Sequence, residues 1–353
     1  MQYGLFSMGE HPGRFPRDAY AEDLREIILA EELGWREVWI GEHHLNGKVE
    51  VLPAPEMLIT KAAVLTRHIR LGPGVRLLPL HYPLDVASDA ATADHLTDGR
   101  YNFGFGTGGT QEYAFYQVPF EEAHDRVEEA IDIILTAWTR EEPFSWQGRF
   151  WQLRDVYLWP RPLQQPHMPV ARACGNPDSY YSSGRRGFWV LGSQFQGVAG
   201  LSAGWAAYER GAHDAGRTPS RADFHVCRLI WVDESDARAR DRIRAFQERS
   251  LAYLRGLAST ARLLHALKPS PEAPLESVTF DYLCDIGHFI VGSPDTVVRR
   301  LRQLYADVGG FGTLLLLAGR DPAPIEERLA MYSRFAREVA PALADLGQFA
   351  PAA

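Results

Sequence analysis

The sequence predicts an α/β fold, a (β/α)8 barrel of the TIM type carrying insertions. Two observations support this. Short apolar runs of strand length alternate with amphipathic helical patterns almost from end to end, and eight such runs are readable. At 353 residues the chain fits one barrel with insertions, and it shows no internal repeat, low-complexity tract or interdomain linker. One domain over residues 1–353 is therefore expected, with insertions at about 141–168 and 256–287. The pattern alone leaves one alternative open, a doubly wound open sheet with an added domain.

The elements follow in order. Tyr3 to Met8 reads as the first strand. Asp18 to Leu33 places Leu24, Ile27, Ile28, Ala30 and Leu33 at helical spacing, and Gly34 is a natural stop. Glu37 to Gly41 is the second strand and Pro55 to Arg67 a helix. Ile69 to Leu78 is the third strand, followed by a helix over Leu84 to Leu96. Tyr101 to Gly106 is the fourth strand, with a helix from Phe120 to Trp138. Phe144 to Trp159 is aromatic and strand-like, a surface hairpin ended by the breaker run Pro160 to Pro162. Val170 to Cys174, Phe188 to Gly192 and Phe224 to Val232 are the fifth to seventh strands. A long helical pattern runs from Ser235 to Leu267. Gly256 to Gly287 reads equally as a lid near the barrel end or as a solvated surface loop. Ser293 with Pro294 opens a helix well, Ser as the cap and Pro in the first turn. Gly312 to Ala318 is the eighth strand, and Ala323 to Leu346 a terminal helix.

Composition narrows the function. Hydrophobic residues are 46% and charged residues 23%, ordinary for a globular protein and unlike a disordered chain or a membrane bundle. A net charge of −8 opposes a phosphate-backbone binder, so no nucleic-acid partner is expected. Cys174, Cys227 and Cys284 are too few and too scattered for a disulfide framework, which argues for a reducing compartment. The N-terminal residues lack the basic flank and apolar stretch of a signal peptide. No apolar run approaches the ~18–20 residues of a membrane span. The expected location is the cytoplasm.

In a barrel, chemistry belongs at the C-terminal ends of the strands. There the chain turns polar, Gly-rich or aromatic: Phe6 to Met8, Gly41 to His44, Pro79 to Pro83, Gly104 to Gly109 and Cys174 to Asn176. Glu42, His43 and His44 carry the most chemical potential, because histidine moves protons near neutral pH. Neighbours on an extended chain point opposite ways, so one histidine enters the site while the other packs against the wall. The plain alternative is that both pack or cap. A metal needs further converging ligands, and no HxH or HExxH spacing appears, so no metal is expected.

Gly104 to Gly109 matches G-x-G-x-x-G, but it follows the fourth strand. Its sequel to Pro119 holds three aromatics instead of a clean helix, so a Rossmann reading is weak. The glycines still let backbone amides approach an anion, and Thr107 adds a hydroxyl. Asn176 and Pro177 open a helix whose first amides favour an anion, although plain capping explains them as well.

Five segments in order resemble the bacterial luciferase-like, flavin-dependent monooxygenases. They are Tyr3 to Phe6 (YGLF), Trp39 to His44 (WIGEHH), Leu71 to Pro79 (LGPGVRLLP), His81 to Pro83 (HYP) and Asp98 to Gly108 (DGRYNFGFGTG). The likeness runs on to Val291 to Val297 and is weakest at 141–168 and 256–287. It implies a luciferase-like barrel, usually dimeric, that uses reduced FMN (FMNH2) supplied by a separate NAD(P)H:flavin reductase. Oxygen then adds to the flavin as a C4a-hydroperoxide that oxidises an organic substrate in a site kept from water. Carried over by position, His43 is the catalytic histidine. Gly74 and Val75 form the strand-three bulge under the flavin ring, with a non-prolyl cis peptide. Gly106, Thr107 and Gly108 lie on the phosphate side. Asn176, Ser179 and Tyr180 form a second phosphate loop.

The chain departs from the pattern at two places. Some members of the family carry an arginine where Thr107 stands and a glutamate near Gly175. That predicts loosely bound FMN, or a phosphate served by Arg172, Arg185 or Arg186. Phe6, His81, Tyr82, Tyr113, Phe195 and Trp231 are candidates for an apolar substrate pocket, with ordinary aromatic packing as the alternative for each. The expected substrate is a hydrophobic small molecule: an aldehyde, ketone, terpenoid or aromatic metabolite. Two further readings are an F420-dependent oxidoreductase and a non-catalytic flavin-binding protein of the same fold.

Overall fold

The computed structural model describes residues 1–44, 47–256 and 263–349. Its strands are β1 (Gln2–Glu10), β2 (Glu37–Ile40), β3 (Arg70–Pro73), β4 (Arg76–Leu77), β5 (Phe103–Gly106), β6 (Phe144–Gln147), β7 (Gln152–Val156), β8 (Val170–Cys174), β9 (Trp189–Gly192), β10 (Phe224–Arg228), β11 (Ile230–Val232), β12 (Ile290–Gly292) and β13 (Thr313–Arg320). The helices are α1 (Pro16–Glu32), α2 (Pro55–Leu65), α3 (Pro83–Leu96), α4 (Thr110–Tyr116), α5 (Ala123–Thr139), α6 (Pro177–Arg186), α7 (Val198–Asp214), α8 (Asp236–Gly256), α9 (Phe280–Asp285), α10 (Pro294–Val308) and α11 (Ile325–Arg334).

One parallel sheet runs in the order β3-β2-β1-β13-β10-β9-β8-β5-β4. Its two ends, β3 and β4, are halves of one strand interrupted at Gly74-Val75, and Leu71 on β3 bridges to Tyr101 just before β5. The sheet therefore curls into a nearly closed barrel, and the open-sheet alternative is excluded. All eight expected strands are present. Parallel strands buried on both faces read as plain apolar runs, and that is why the sequence shows them so clearly.

The interior explains where the site opens. Gly74, Gly104, Gly106, Ala171 and Ala173 face inward from β3, β5 and β8 and offer almost no volume. Trp39 and Phe6 fill the space from the other side: a Cβ on Gly74 would meet Trp39 at 2.8 Å and Phe6 at 3.0 Å. Deeper in, Glu37 accepts from the Trp39 indole at 2.9 Å and pairs with His225 at 2.9 Å. Outward-facing residues of the same strands meet helices. Arg172 pairs with Glu128 of α5, and Cys174 touches Ser183 of α6 at 3.4 Å.

The connections refine the sequence reading. Residues 144–156 form the expected antiparallel hairpin, β6 with β7. After Gly109 the chain does form a helix, α4, despite its aromatics; Gln117 ends it in a left-handed conformation, φ 54°. The long pattern from Ser235 to Leu267 is helical as α8, and residues 257–262 within it lie outside the described residues. β11 pairs with β12, an added pair beside the barrel. The terminal helix changes winding after Arg334, into a π turn and then a 3-10 turn ending at Leu343. Among the described residues no helix is long and apolar enough to cross a membrane.

Candidate active site

The strand ends gather polar groups on one face of the barrel. Glu42 at the end of β2 is fully buried and is shared by four donors. Its Oε1 lies 2.5 Å from both His44 Nε2 and His81 Nε2. Its Oε2 accepts the Leu77 amide at 3.0 Å and pairs with Arg76 at 3.2 Å. Burial pushes the Glu42 carboxyl up, but the two histidines and Arg76 outweigh that and hold it well below the usual carboxylate range. Glu42, His44 and His81 have the composition of a metal set, yet both Nε2 atoms already meet Glu42 and a guanidinium stands beside it.

His43 points the other way from His44, as strand alternation requires. Its Nδ1 lies 3.7 Å from Glu50 and 3.7 Å from Glu112 of α4. Its Nε2 edge lies over Gly41, where a Cβ would approach to 3.3 Å. Burial favours the neutral ring, but Glu50, Glu112 and Glu42 together raise its pKa to about 9. His43 is therefore a cation at neutral pH. His44 turns its Nδ1 to the Tyr116 hydroxyl at 2.9 Å.

The bond between Gly74 and Val75 is cis. Val75 packs beside Gly106, and Phe6 lies against Gly74. Above them, Ala173 is exposed although it points into the barrel. A barrel interior is normally filled by side chains. An exposed inward residue marks a trough that sinks below the strand ends. Gly175, where an added Cβ would meet no atom within 4 Å, leaves the rim of that trough open.

The phosphate side is sparser. β5 ends at Gly106, so the amides of Thr107 to Gly109 lie beyond the ladder. Tyr113 is buried and donates its hydroxyl to the Thr107 carbonyl at 2.5 Å. Asn176 caps α6 by accepting from Ser179 at 3.0 Å, and the Ser179 hydroxyl donates back to the Asn176 carbonyl at 2.7 Å. Tyr180 is buried between barrel and helices, its hydroxyl on Gln196 at 3.0 Å. The cations suggested by the sequence stand elsewhere. Arg172 and Arg186 both pair with Glu128, and Arg185 lies in the last turn of α6, opposite Asn176. They face outward, as the alternation of β8 dictates for Arg172.

Of the pocket candidates, Phe6 lies against Gly74 at the trough, whereas His81 is engaged by Glu42 at 2.5 Å. Phe195, in the loop after β9, is half-buried and lines a narrow gap of mixed character with Leu251, Leu254, Gln247, His288 and Arg320. Tyr82 is exposed. Trp231 lies behind the barrel wall, lining a small cavity with Ile243 of α8 and Met331 of α11, and is not brought to the trough. Glu50 and Glu112 escape the sequence reading, since loop and short-helix carboxylates carry no spacing signal.

These residues fit a flavin. The trough gives an apolar floor of Phe6 and Val75, and the amides beyond β5 could receive an anion.

Three comparisons bear on this geometry. The profile of the luciferase-like monooxygenase family matches residues 1–311. The chain is 32% identical to 4-hydroxyprotoasukamycin monooxygenase of Streptomyces nodosus subsp. asukaensis, over 97% of this chain and 92% of that protein. Its fold matches the oxygenating constituent of 3,6-diketocamphane monooxygenase from Pseudomonas putida, a type II Baeyer-Villiger monooxygenase solved with FMN. The TM-score is 0.84 and the identity 25%, covering 97% of this chain and 98% of that one. The coenzyme F420-dependent tetrahydromethanopterin reductase of Methanopyrus kandleri shares the fold at TM-score 0.70 and 20% identity, covering 96% and 98%. With that profile matched over residues 1–311, this chain belongs to the luciferase-like monooxygenase family.

Proposed function

We propose that this chain is the oxygenase component of a two-component system. It takes reduced FMN from a separate NAD(P)H:flavin reductase and transfers one atom of dioxygen to a hydrophobic organic substrate. The observation that carries this reading is the open trough floored by Phe6 and Val75, with cationic His43 at its edge. The flavin, when bound, supplies the electrons that activate dioxygen. Phe6 and Val75 support the ring face. The amides of Thr107 to Gly109 and the start of α6 receive the phosphate with modest strength, because among the described residues no arginine is seen to serve them and Asp178 stands exposed in the first turn. Weak retention suits a flavin that arrives and leaves as a diffusing substrate. His43 holds a positive charge where negative charge develops on oxygen, and it gives up a proton there. Apolar contacts at the trough, Phe6 among them, favour a hydrophobic substrate.

The test is anaerobic mixing with photoreduced FMN, followed by oxygen in a stopped-flow instrument. The protein is expected to bind the reduced flavin and to alter its reoxidation. Labelled dioxygen then enters an apolar ketone or terpenoid substrate. Absence of reduced-FMN binding, together with hydride transfer from reduced F420 without oxygen uptake, would overturn the reading.

A further inference from the structure

Glu112 is 1% exposed, and among the described residues its only cationic partner is His43, with Glu112 Oε1 3.7 Å from His43 Nδ1. The second oxygen, Oε2, is buried without a hydrogen-bond partner. Burying a carboxylate costs several kcal/mol unless it is paired. A chain that keeps one there, against a single imidazole, keeps it for that imidazole.

The helix carrying Glu112 is pinned on both sides of it. Tyr113 donates to the Thr107 carbonyl at 2.5 Å, which ties α4 to the loop after β5. Tyr116 bonds His44 Nδ1 at 2.9 Å, which ties α4 to the end of β2. The carboxylate is thereby fixed over His43, on a short element that joins the loop after β5 to the end of β2.

The charged groups around His43 come from every packed element. Glu42 is its neighbour in the segment after β2, Glu50 precedes α2, and Glu112 comes from α4. Tyr253 of α8 faces Glu50, Glu10 and Glu112; burial first, and then those carboxylates, raise its pKa to about 12, so it stays neutral. Glu10 is engaged by Arg320 at 2.7 Å. Glu50 and Glu112 are therefore the two charges that meet Nδ1 directly.

We propose that Glu112 is the positioning residue of His43: it holds the imidazole as a cation with Nδ1–H turned to the carboxylates, leaving Nε2–H as the proton presented at the barrel mouth. This deepens the oxygenase reading, on which the use of that proton rests. The clamp itself is a property of the flavin-free protein and is tested there.

The experiment is an NMR titration of the His43 side chain in flavin-free protein. The wild-type midpoint is expected near 9. Glu112→Gln is expected to lower it by about one to two units, the effect of removing one adjacent opposite charge. Glu112→Asp is expected to restore most of the difference. An unchanged midpoint in folded Glu112→Gln overturns the proposal. A double-mutant cycle covers the case in which that variant folds poorly. His43→Gln strands the carboxylate and lowers the urea midpoint, and His43→Gln with Glu112→Gln recovers it. Strictly additive losses overturn the proposal. Neither measurement uses flavin or substrate, so failure of the oxygenase reading and failure of the clamp are separable.

Discussion

Arg76 Nη1 stands 3.2 Å from Glu42 Oε2, and both side chains are buried. The pair closes the end of β4 against the end of β2, and the same carboxylate receives the Leu77 amide. Glu42→Gln keeps the shape but turns a neutral amide to the buried guanidinium and to the two histidines, leaving Arg76 with Glu56 at 3.4 Å as its nearest carboxylate. Breaking a buried pair from one side costs about 3 kcal/mol. Urea unfolding of Glu42→Gln is expected to show a loss of that order. A variant within 0.5 kcal/mol of wild type, the ~0.5 kcal/mol range of plain surface changes, would remove Glu42 from the architecture of the strand ends.

His11 is fully buried between Asp23 and Asp321, at 2.9 Å from each. Burial lowers its pKa, but the two aspartates overcome this and raise it to about 10. The free imidazole titrates near ~6.5. A raised folded value means stability fully present below ~6.5 and lost as pH rises through about 10. Unfolding at fixed urea is expected to become easier across that window, by up to ~1.4 kcal/mol per pH unit. His11→Gln is expected to be less stable at pH 6 and to lose most of this slope. An unchanged slope in the variant would place the alkaline sensitivity elsewhere, with His43 the next group to examine.

The barrel is legible in the sequence because most of its strands are buried on both faces, so Trp39 with Ile40 or Leu314 to Leu317 stand out as apolar runs. The histidine pair is legible because it lies at a strand end and because it resembles a known family. Arg172 shows what is not legible. Its position suggests a phosphate ligand, but β8 alternates, so Arg172 faces outward to Glu128 while Ala173 faces the trough. Trp231 lies behind the barrel wall because aromatic character does not tell inside from outside, and Tyr180, placed by resemblance on the phosphate loop, turns its buried hydroxyl to Gln196. Glu50 and Glu112 are invisible because they meet His43 only after a loop and the short helix α4 fold over one strand end.

Among the described residues no cation is seen at the loop after β5, which gives a directional prediction. Thr107 is partly exposed beside Gly108 and Gly109. Thr107→Arg adds a guanidinium where the phosphate of FMN is proposed to lie, and a charge-assisted bond contributes about 1.5–3 kcal/mol. FMN affinity is expected to rise about tenfold or more, since ~1.4 kcal/mol is a factor of ten. Riboflavin, which lacks the phosphate, is expected to bind as before. Equal gains for both flavins, or none for FMN, would place the phosphate away from this loop.

Ala173 separates the trough from the fold. It points into the barrel beside Gly106, yet it is exposed, so a larger side chain there enters open space and displaces no packed neighbour. Ala173→Leu is therefore expected to leave stability within about 0.5 kcal/mol of wild type, as at an ordinary exposed site. The isobutyl group would stand where the flavin ring is proposed to rest on Phe6 and Val75. FMN and riboflavin are both expected to bind about tenfold more weakly or worse, a loss of ~1.4 kcal/mol or more. The joint loss distinguishes this from the phosphate-side variant, where only FMN responds. Isothermal titration with both flavins, beside a urea curve, reads the two effects independently. Undiminished binding in a folded variant would mean that the ring lies elsewhere on the strand ends, and the case for His43 as its neighbour would fall with it.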